Sequence, residues 1–181
     1  MVATTAKGEA RRNALQDAVI RVLESGGPGA VTHRAVATEA GVPLAATTYY
    51  FASIDDLLES ALLRATQQQV ALLGSHSAGS LDDFATVLHD RVYRSRASTI
   101  AHYELLLLAM RRDSLREAAD HWYRALEEAI AGFVPDSRRA RVASLAVDGL
   151  ILRMLWHAGP ESVGKVQASL GEILRDAARA T

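Results

Sequence analysis

The residues of this chain that are equipped for chemistry form no catalytic constellation. Its 181 residues contain no Cys, which removes thiolate nucleophiles, disulfides and Cys-ligated zinc. The six His are scattered, with no pair at i, i+4, so no metal site is expected. Ser75, His76 and Ser77 place hydroxyls beside an imidazole, but the stretch Gly74 to Gly79 lacks both the Gly-x-Ser-x-Gly spacing and a flanking strand. A polar loop is expected there. Ser25-Gly26-Gly27-Pro28-Gly29 resembles a phosphate loop only in its glycines, since no strand precedes it and no Gly-Lys-Ser/Thr follows. No enzyme activity and no cofactor are expected.

What remains is recognition chemistry, in two sets. Thr32 and Arg34 offer a hydroxyl and a guanidinium suited to phosphate oxygens. Pro43, Leu44, Ala46, Thr47, Thr48 and Tyr49 offer methyl groups suited to thymine and hydroxyls suited to base edges or phosphates. The second set, His89, Tyr93, His102, Tyr103, Met110, Trp122 and Trp156, has the makeup of a mostly apolar cavity with a few polar groups. Tyr123 and Met154 could join it.

The elements that must position these residues are helical. The chain carries 33 Ala and 23 Leu, the two residues that lose least on entering a helix. Leu15, Ala18, Val19, Val22 and Leu23 form an amphipathic stripe that starts near Glu9 and is stopped by the glycine-rich turn. Thr32 caps a short second helix to about Glu39, Gly41 breaks it, and a third begins near Pro43. Ser53 with Asp56 opens a longer fourth helix to about Leu73. Further starts fall at Ser80 with Asp83, at Ser98 or Thr99, at Ser114 with Glu117, and at Asp136, whose helix reaches Trp156 before Gly159-Pro160. A last helix to about Ala178 completes an all-α fold of nine.

Charge adds a constraint. The net charge is −1, and residues 1–52 carry only Lys7, Arg11, Arg12, Arg21 and Arg34 against Glu9, Asp17, Glu24 and Glu39. Binding to nucleic acid, if it occurs, must rest on few and well-placed contacts, because the electrostatic part of affinity scales with the phosphates neutralised. The start of the chain lacks the apolar core of a secretory signal. The longest apolar run, Leu105 to Met110, is far below the roughly 18 to 20 residues needed to span a bilayer. A soluble, cytoplasmic protein with no membrane partner is expected.

The segment from Thr32 to Phe51 has the pattern of a helix-turn-helix. Ala37 is small where two helices cross, and Gly41, four residues later, supplies a turn in which positive φ is cheap only for glycine. Val36, Ala40 and Val42 are apolar where the pair would face Leu15, Ala18 and Val22 of the first helix.

With Thr-x-Arg-x-Val-Ala, Ala-Gly-Val, Thr-Thr-Tyr-Tyr-Phe and the following Ser-x-Asp-Asp-Leu-Leu in place, residues 9 to 62 resemble the TetR family of transcriptional regulators. From residue 63 onward the likeness is one of helix count and length. The resemblance implies a helix-turn-helix domain over 1–52 and a ligand-binding and dimerisation domain over 53–181. It further implies a homodimeric repressor on a double-stranded DNA operator, released by a small-molecule effector. Ala52 stands where this family often has a Lys that meets a phosphate, so Lys7, Arg11 and Arg12 are expected to help hold the backbone. Val163, Val166, Leu170, Ile173 and Ala177, with Val142, Leu145, Ala146, Gly149, Leu150 and Leu152, suggest the dimer seam. The alternative is a helical small-molecule binder or enzyme that does not read DNA.

Overall fold

The computed structural model describes residues 6–77, 80–157 and 159–179. Among these are nine α-helices and no strand: α1 Ala6–Gly26, α2 His33–Glu39, α3 Leu44–Tyr50, α4 Ile54–Ser77, α5 Leu81–Tyr93, α6 Arg96–Leu108, α7 Arg116–Ala131, α8 Ser137–Trp156 and α9 Val163–Arg179. Short 3-10 turns at Pro28–Ala30 and Asp113–Leu115 link α1 to α2 and lead into α7.

Local chemistry sets most of the boundaries. The Thr32 hydroxyl accepts from the Ala35 amide at 3.1 Å to start α2. Ser53 and Asp56 bond each other's backbone amides reciprocally ahead of α4, and Ser80 and Asp83 do the same for α5. Asp136 accepts from Arg139 to start α8. Gly27 and Gly41 stand at φ 67° and φ 65°, the left-handed region, and turn the chain after α1 and between α2 and α3. Two expectations shift. The polar stretch after Leu73 does not end α4, which continues to Ser77, because neither Gly74 nor the serines supply an unavoidable break; Ala78 and Gly79 lie outside the described residues. The sixth helix starts earlier, at Arg96 rather than at Ser98 or Thr99.

The chain divides into two compact units. The first comprises residues 1–66 and 100–119, so its boundary falls inside α4 and it takes in most of α6. Leu15, Ala18 and Val19 of α1, Val36 and Ala37 of α2, Phe51, and Leu57, Leu58 and Leu62 of α4 are buried within it. Polar ties between elements run through the same unit. Arg64 of α4 makes two hydrogen bonds to Asp17 of α1, at 2.7 and 3.0 Å, and that bonding raises the Arg64 guanidinium above its already high pKa. Gln16 donates to Ser60, the buried Thr66 hydroxyl meets His102 Nε2 at 3.1 Å, and Arg112 pairs with Asp55. The second unit comprises residues 67–99 and 120–181. Here α5 packs on α8 and α9, and α8 on α9, around Phe84, Leu88, Leu126, Ile130, Val147, Ile151, Val166 and Leu170.

Glu104 of α6 carries a consequence that can be measured. Its Oε1 lies 3.8 Å from where a Cβ on Gly27 would stand, and burial raises its pKa above the ordinary 4.5. Below 4.5 the carboxyl is protonated in both folded and unfolded chains; as pH rises through the elevated folded value, the folded state must ionise a partly desolvated group and loses stability. Glu104→Gln removes that penalty. Thermal unfolding is expected to show the variant melting above the wild type at pH 7, with the gap closing as pH falls towards 4. A gap independent of pH would refute the assignment.

Candidate nucleic-acid interface and sensor cavity

The reading head is built by burying one side of two short helices. Val36 and Ala37 turn α2 inward, and the Ala37 carbonyl accepts from the Val42 amide at 3.0 Å across the turn. The opposite faces are open. Arg34 is exposed on α2, and Pro43, Leu44, Ala45, Thr48 and Tyr49 are exposed on or at the start of α3, Tyr49 at 81%. Ala46 is half-buried. The Tyr49 ring stands edge-on to Tyr50 with centroids 5.0 Å apart, which restrains it while leaving its surface free. In a helix-turn-helix the second helix enters the major groove and the first crosses the backbone. Thr32, Arg34 and the outward residues of α3 all lie on the solvent side of this pair.

One residue of the expected reading set does not belong to it. Thr47 is fully buried and its hydroxyl donates to the Leu44 carbonyl at 2.7 Å. It lies on the core side of α3, where a threonine satisfies its own hydroxyl against the preceding turn. Arg12, expected to help hold the backbone, is exposed; its guanidinium lies 5.6 Å from the centre of the buried Phe51 ring and donates to Ser60 at 3.3 Å. Lys7 and Arg11 remain exposed. Arg21 is paired with Glu39 at 2.6 Å.

The residues expected to line one ligand cavity are dispersed. His102 and Tyr103 are buried in the first unit, His102 against Thr66. Met110 is 74% exposed and Trp156 90% exposed, so neither lines a cavity of the isolated subunit. His89, Tyr93 and Trp122 belong to the second unit. The His89 ring meets Asp90 Oδ1 at 3.2 Å and the Glu161 carbonyl at 3.1 Å, and packs on Tyr93 with centroids 5.0 Å apart. Trp122 is fully buried, with the Arg91 guanidinium 4.3 Å from its ring centre and its indole N–H directed to Asp148 at 3.4 Å. Burial, then the charge of Asp148, pushes the neighbouring Tyr123 hydroxyl above its ordinary pKa.

Sequence spacing missed an actual cavity in this unit. It measures about 410 Å³ and is bordered by Leu72 of α4 and by Thr86, Val87, Asp90 and Arg91 of α5, with Arg94 at its edge. None of the seven residues expected to hold ligand borders it, although Arg91 links it to Trp122. No single polar break in α5 marked it, since that helix also carries Asp82, Asp83, Thr86 and His89.

The outer surface of α8 was also only half legible. Val142, Leu145, Gly149, Leu152 and Trp156 are exposed at alternating three- and four-residue steps, an unbroken apolar stripe. Val166 and Leu170 of α9, expected on the same seam, are instead buried in the subunit core, while Ile173 and Ala177 are half-buried. A groove of about 580 Å³ runs beside the stripe, bordered by Arg138, Val142, Ala146, Ile173 and Asp176.

Comparison with known proteins divides the chain by sequence. The model for bacterial regulatory proteins of the tetR family matches residues 15–61, and the model for the tetracyclin repressor-like C-terminal domain matches residues 79–180. No curated protein sequence is significantly similar. Among solved structures, the multidrug binding protein EbrR complexed with ethidium is 32% identical, aligned over 90% of this chain and 98% of that one with a TM-score of 0.76. EbrR has also been solved with proflavin and with malachite green. A TetR family member from Streptomyces coelicolor A3 is 32% identical over 90% of this chain and 97% of that one, with a TM-score of 0.79. Among the described residues no helix is long and apolar enough to cross a membrane. With both halves matched and the recognition helix exposed in its helix-turn-helix, the chain belongs to the TetR family of DNA-binding transcriptional regulators.

Proposed function

We propose that the protein is a ligand-responsive repressor that binds a pseudo-palindromic operator as a homodimer and leaves it when a small, mostly apolar effector binds. The observation that carries this reading is the exposure of α3: Leu44, Thr48 and Tyr49 face outward while Val36, Ala37 and Thr47 hold the helix pair to the core. A monomer has no use for an 81% exposed tyrosine on a seven-residue helix; a duplex groove covers it. The α8 stripe supports the dimer, because a twofold axis through it pairs apolar surface with itself. Such a dimer sets two recognition helices roughly 34 to 36 Å, or a multiple, apart on the duplex. The second unit supports the sensor, with its cavity beside the Arg91 and Trp122 stack. EbrR, at 32% identity, has been solved with ethidium, proflavin and malachite green, aromatic cations that make an aromatic effector the natural class to test. Release is a population shift, bounded by the effector's differential affinity for the two dimer conformations.

Three measurements test the reading. Fluorescence anisotropy with duplexes from the intergenic region upstream of the gene is expected to show sequence-selective binding. Its log–log salt slope should be no steeper than about −7, since about eight basic side chains in a dimer, Lys7, Arg11, Arg12 and Arg34 from each copy, contribute about 0.9 each. Tyr49→Ala should weaken that binding at least about tenfold, whereas Thr47→Val should leave it within about threefold and affect stability by about 1 kcal/mol. Equal effects of the two would misplace α3 in the groove. Leu145→Arg should convert the dimer to a monomer in sedimentation velocity and abolish operator binding at nanomolar protein; a wild type that sediments as a monomer would exclude the proposed assembly.

The sensor reading is checked by Trp156→Phe, which leaves Trp122 as the sole indole. Titrated ethidium is expected to quench Trp122 emission and release the labelled operator over the same concentration range. Release without quenching would place the effector elsewhere.

A further inference from the structure

We infer that α3 selects its operator through thymine methyl groups, without any bidentate hydrogen-bonding side chain, so that the half-site under it is built on A·T pairs. This rests on the repressor reading above and names what its reading head recognises. The side chains that usually discriminate bases do so with paired donors and acceptors, Arg or Lys on guanine and Asn or Gln on adenine. From Pro43 to Tyr50 the sequence is Pro-Leu-Ala-Ala-Thr-Thr-Tyr-Tyr and contains none of them. The fold then occupies the donor side of both threonine hydroxyls. Thr47 is buried with its proton on the Leu44 carbonyl, and the exposed Thr48 directs its own to the Ala45 carbonyl at 3.2 Å. The Thr48 methyl then stands on the outward surface beside a hydroxyl left as an acceptor only. The outward surface is therefore Pro43, Leu44 at 44% exposure, Ala45, the Thr48 methyl and the Tyr49 ring.

An apolar surface of this kind distinguishes the four base pairs by one feature. Every pair exposes polar atoms in the major groove, and only thymine adds a methyl group. Covering polar edges costs a similar amount for each sequence, while covering a methyl is favourable wherever a thymine stands. Selectivity then follows the positions of thymines.

The experiment starts from duplexes that the full-length protein recovers from a random pool, in which the thymines of each half-site are replaced by deoxyuridine, which lacks only the 5-methyl. Affinity is expected to fall about fourfold for each methyl that α3 covers, and at least about tenfold for the fully substituted site. Changing a sensitive T·A pair to C·G should weaken binding, and 5-methylcytosine in the same place should restore most of it. Thr48→Ser should lose affinity on the thymine duplex and lose little more on the deoxyuridine duplex, since the two changes remove the two sides of one contact. Binding unchanged within twofold by deoxyuridine, or recovered half-sites fixed by guanine under α3, would overturn the inference while leaving the repressor reading intact. A pool that yields no selected sequence would instead sink the repressor reading, and the inference with it.

Discussion

A helix of seven residues is too short to persist in water by itself, because one or two turns of hydrogen bonds do not offset the cost of nucleation. Both helices of the reading head are this short, so their existence depends on burial, α2 against α1 and α3 against α2, and on the turn at Gly41. That constraint orders the rest of the head. Val36, Ala37 and Thr47 must turn inward to hold the pair in place, and whatever lies on the other side is presented to solvent. The exposed face of α3 and its buried anchor are two sides of one packing event. Gly41 at φ 65° lets both occur within four residues of Ala37.

The same unit extends beyond the head. Asp17 to Arg64, Gln16 to Ser60, Asp55 to Arg112 and Thr66 to His102 each join segments at least 36 residues apart in sequence, and each is at least partly shielded from water, where a charge-assisted or buried hydrogen bond is stronger than on an open surface. The first half of α4 and most of α6 are thereby bound to the head rather than to the second unit. The chain crosses from one unit to the other within α4, near the start of α6 and within α7. Under the proposed mechanism a signal arriving from the second unit acts on those three continuous stretches of helix, which transmit displacement because bending them breaks backbone hydrogen bonds.

Much of this was legible in the sequence, for identifiable reasons. Caps are local: Thr32, Ser53 with Asp56, Ser80 with Asp83 and Asp136 all bond backbone within three residues, so their spacing alone located helix starts. Rotation about a helix axis is legible only when several turns share one face. On α3 there are too few turns, and Thr47 and Thr48 could not be told apart although one is buried and the other exposed. On α8 and α9 the difficulty is different. A stripe that packs the subunit core and a stripe that faces outward are both apolar at three- and four-residue steps, so Val166 and Leu170 resembled Val142 and Leu145 until burial separated them. Trp156 was misassigned because aromatic identity suggests a cavity, whereas its place in the series 142, 145, 149, 152 points outward. Distance in sequence hid the cavity beside Arg91, which is shaped by α4 and α5 together.

Near-neutral charge and an apolar recognition surface have a joint consequence. Attraction of Lys and Arg to phosphate is the same on every duplex, so it raises affinity for the operator and for all competing DNA alike. A head with only Lys7, Arg11, Arg12 and Arg34 beyond its paired charges gains little of this undirected binding. Methyl contacts act only where thymines stand in register with α3, and they are insensitive to the ion atmosphere. Individually they are weak, and in the proposed dimer two copies held at a fixed spacing would turn a modest preference per half-site into useful selectivity. In the proposed dimer, sparse charge and apolar readers are thus mutually dependent: increasing the charge would dilute discrimination, and loosening the dimer would remove the multiplication on which weak contacts rely.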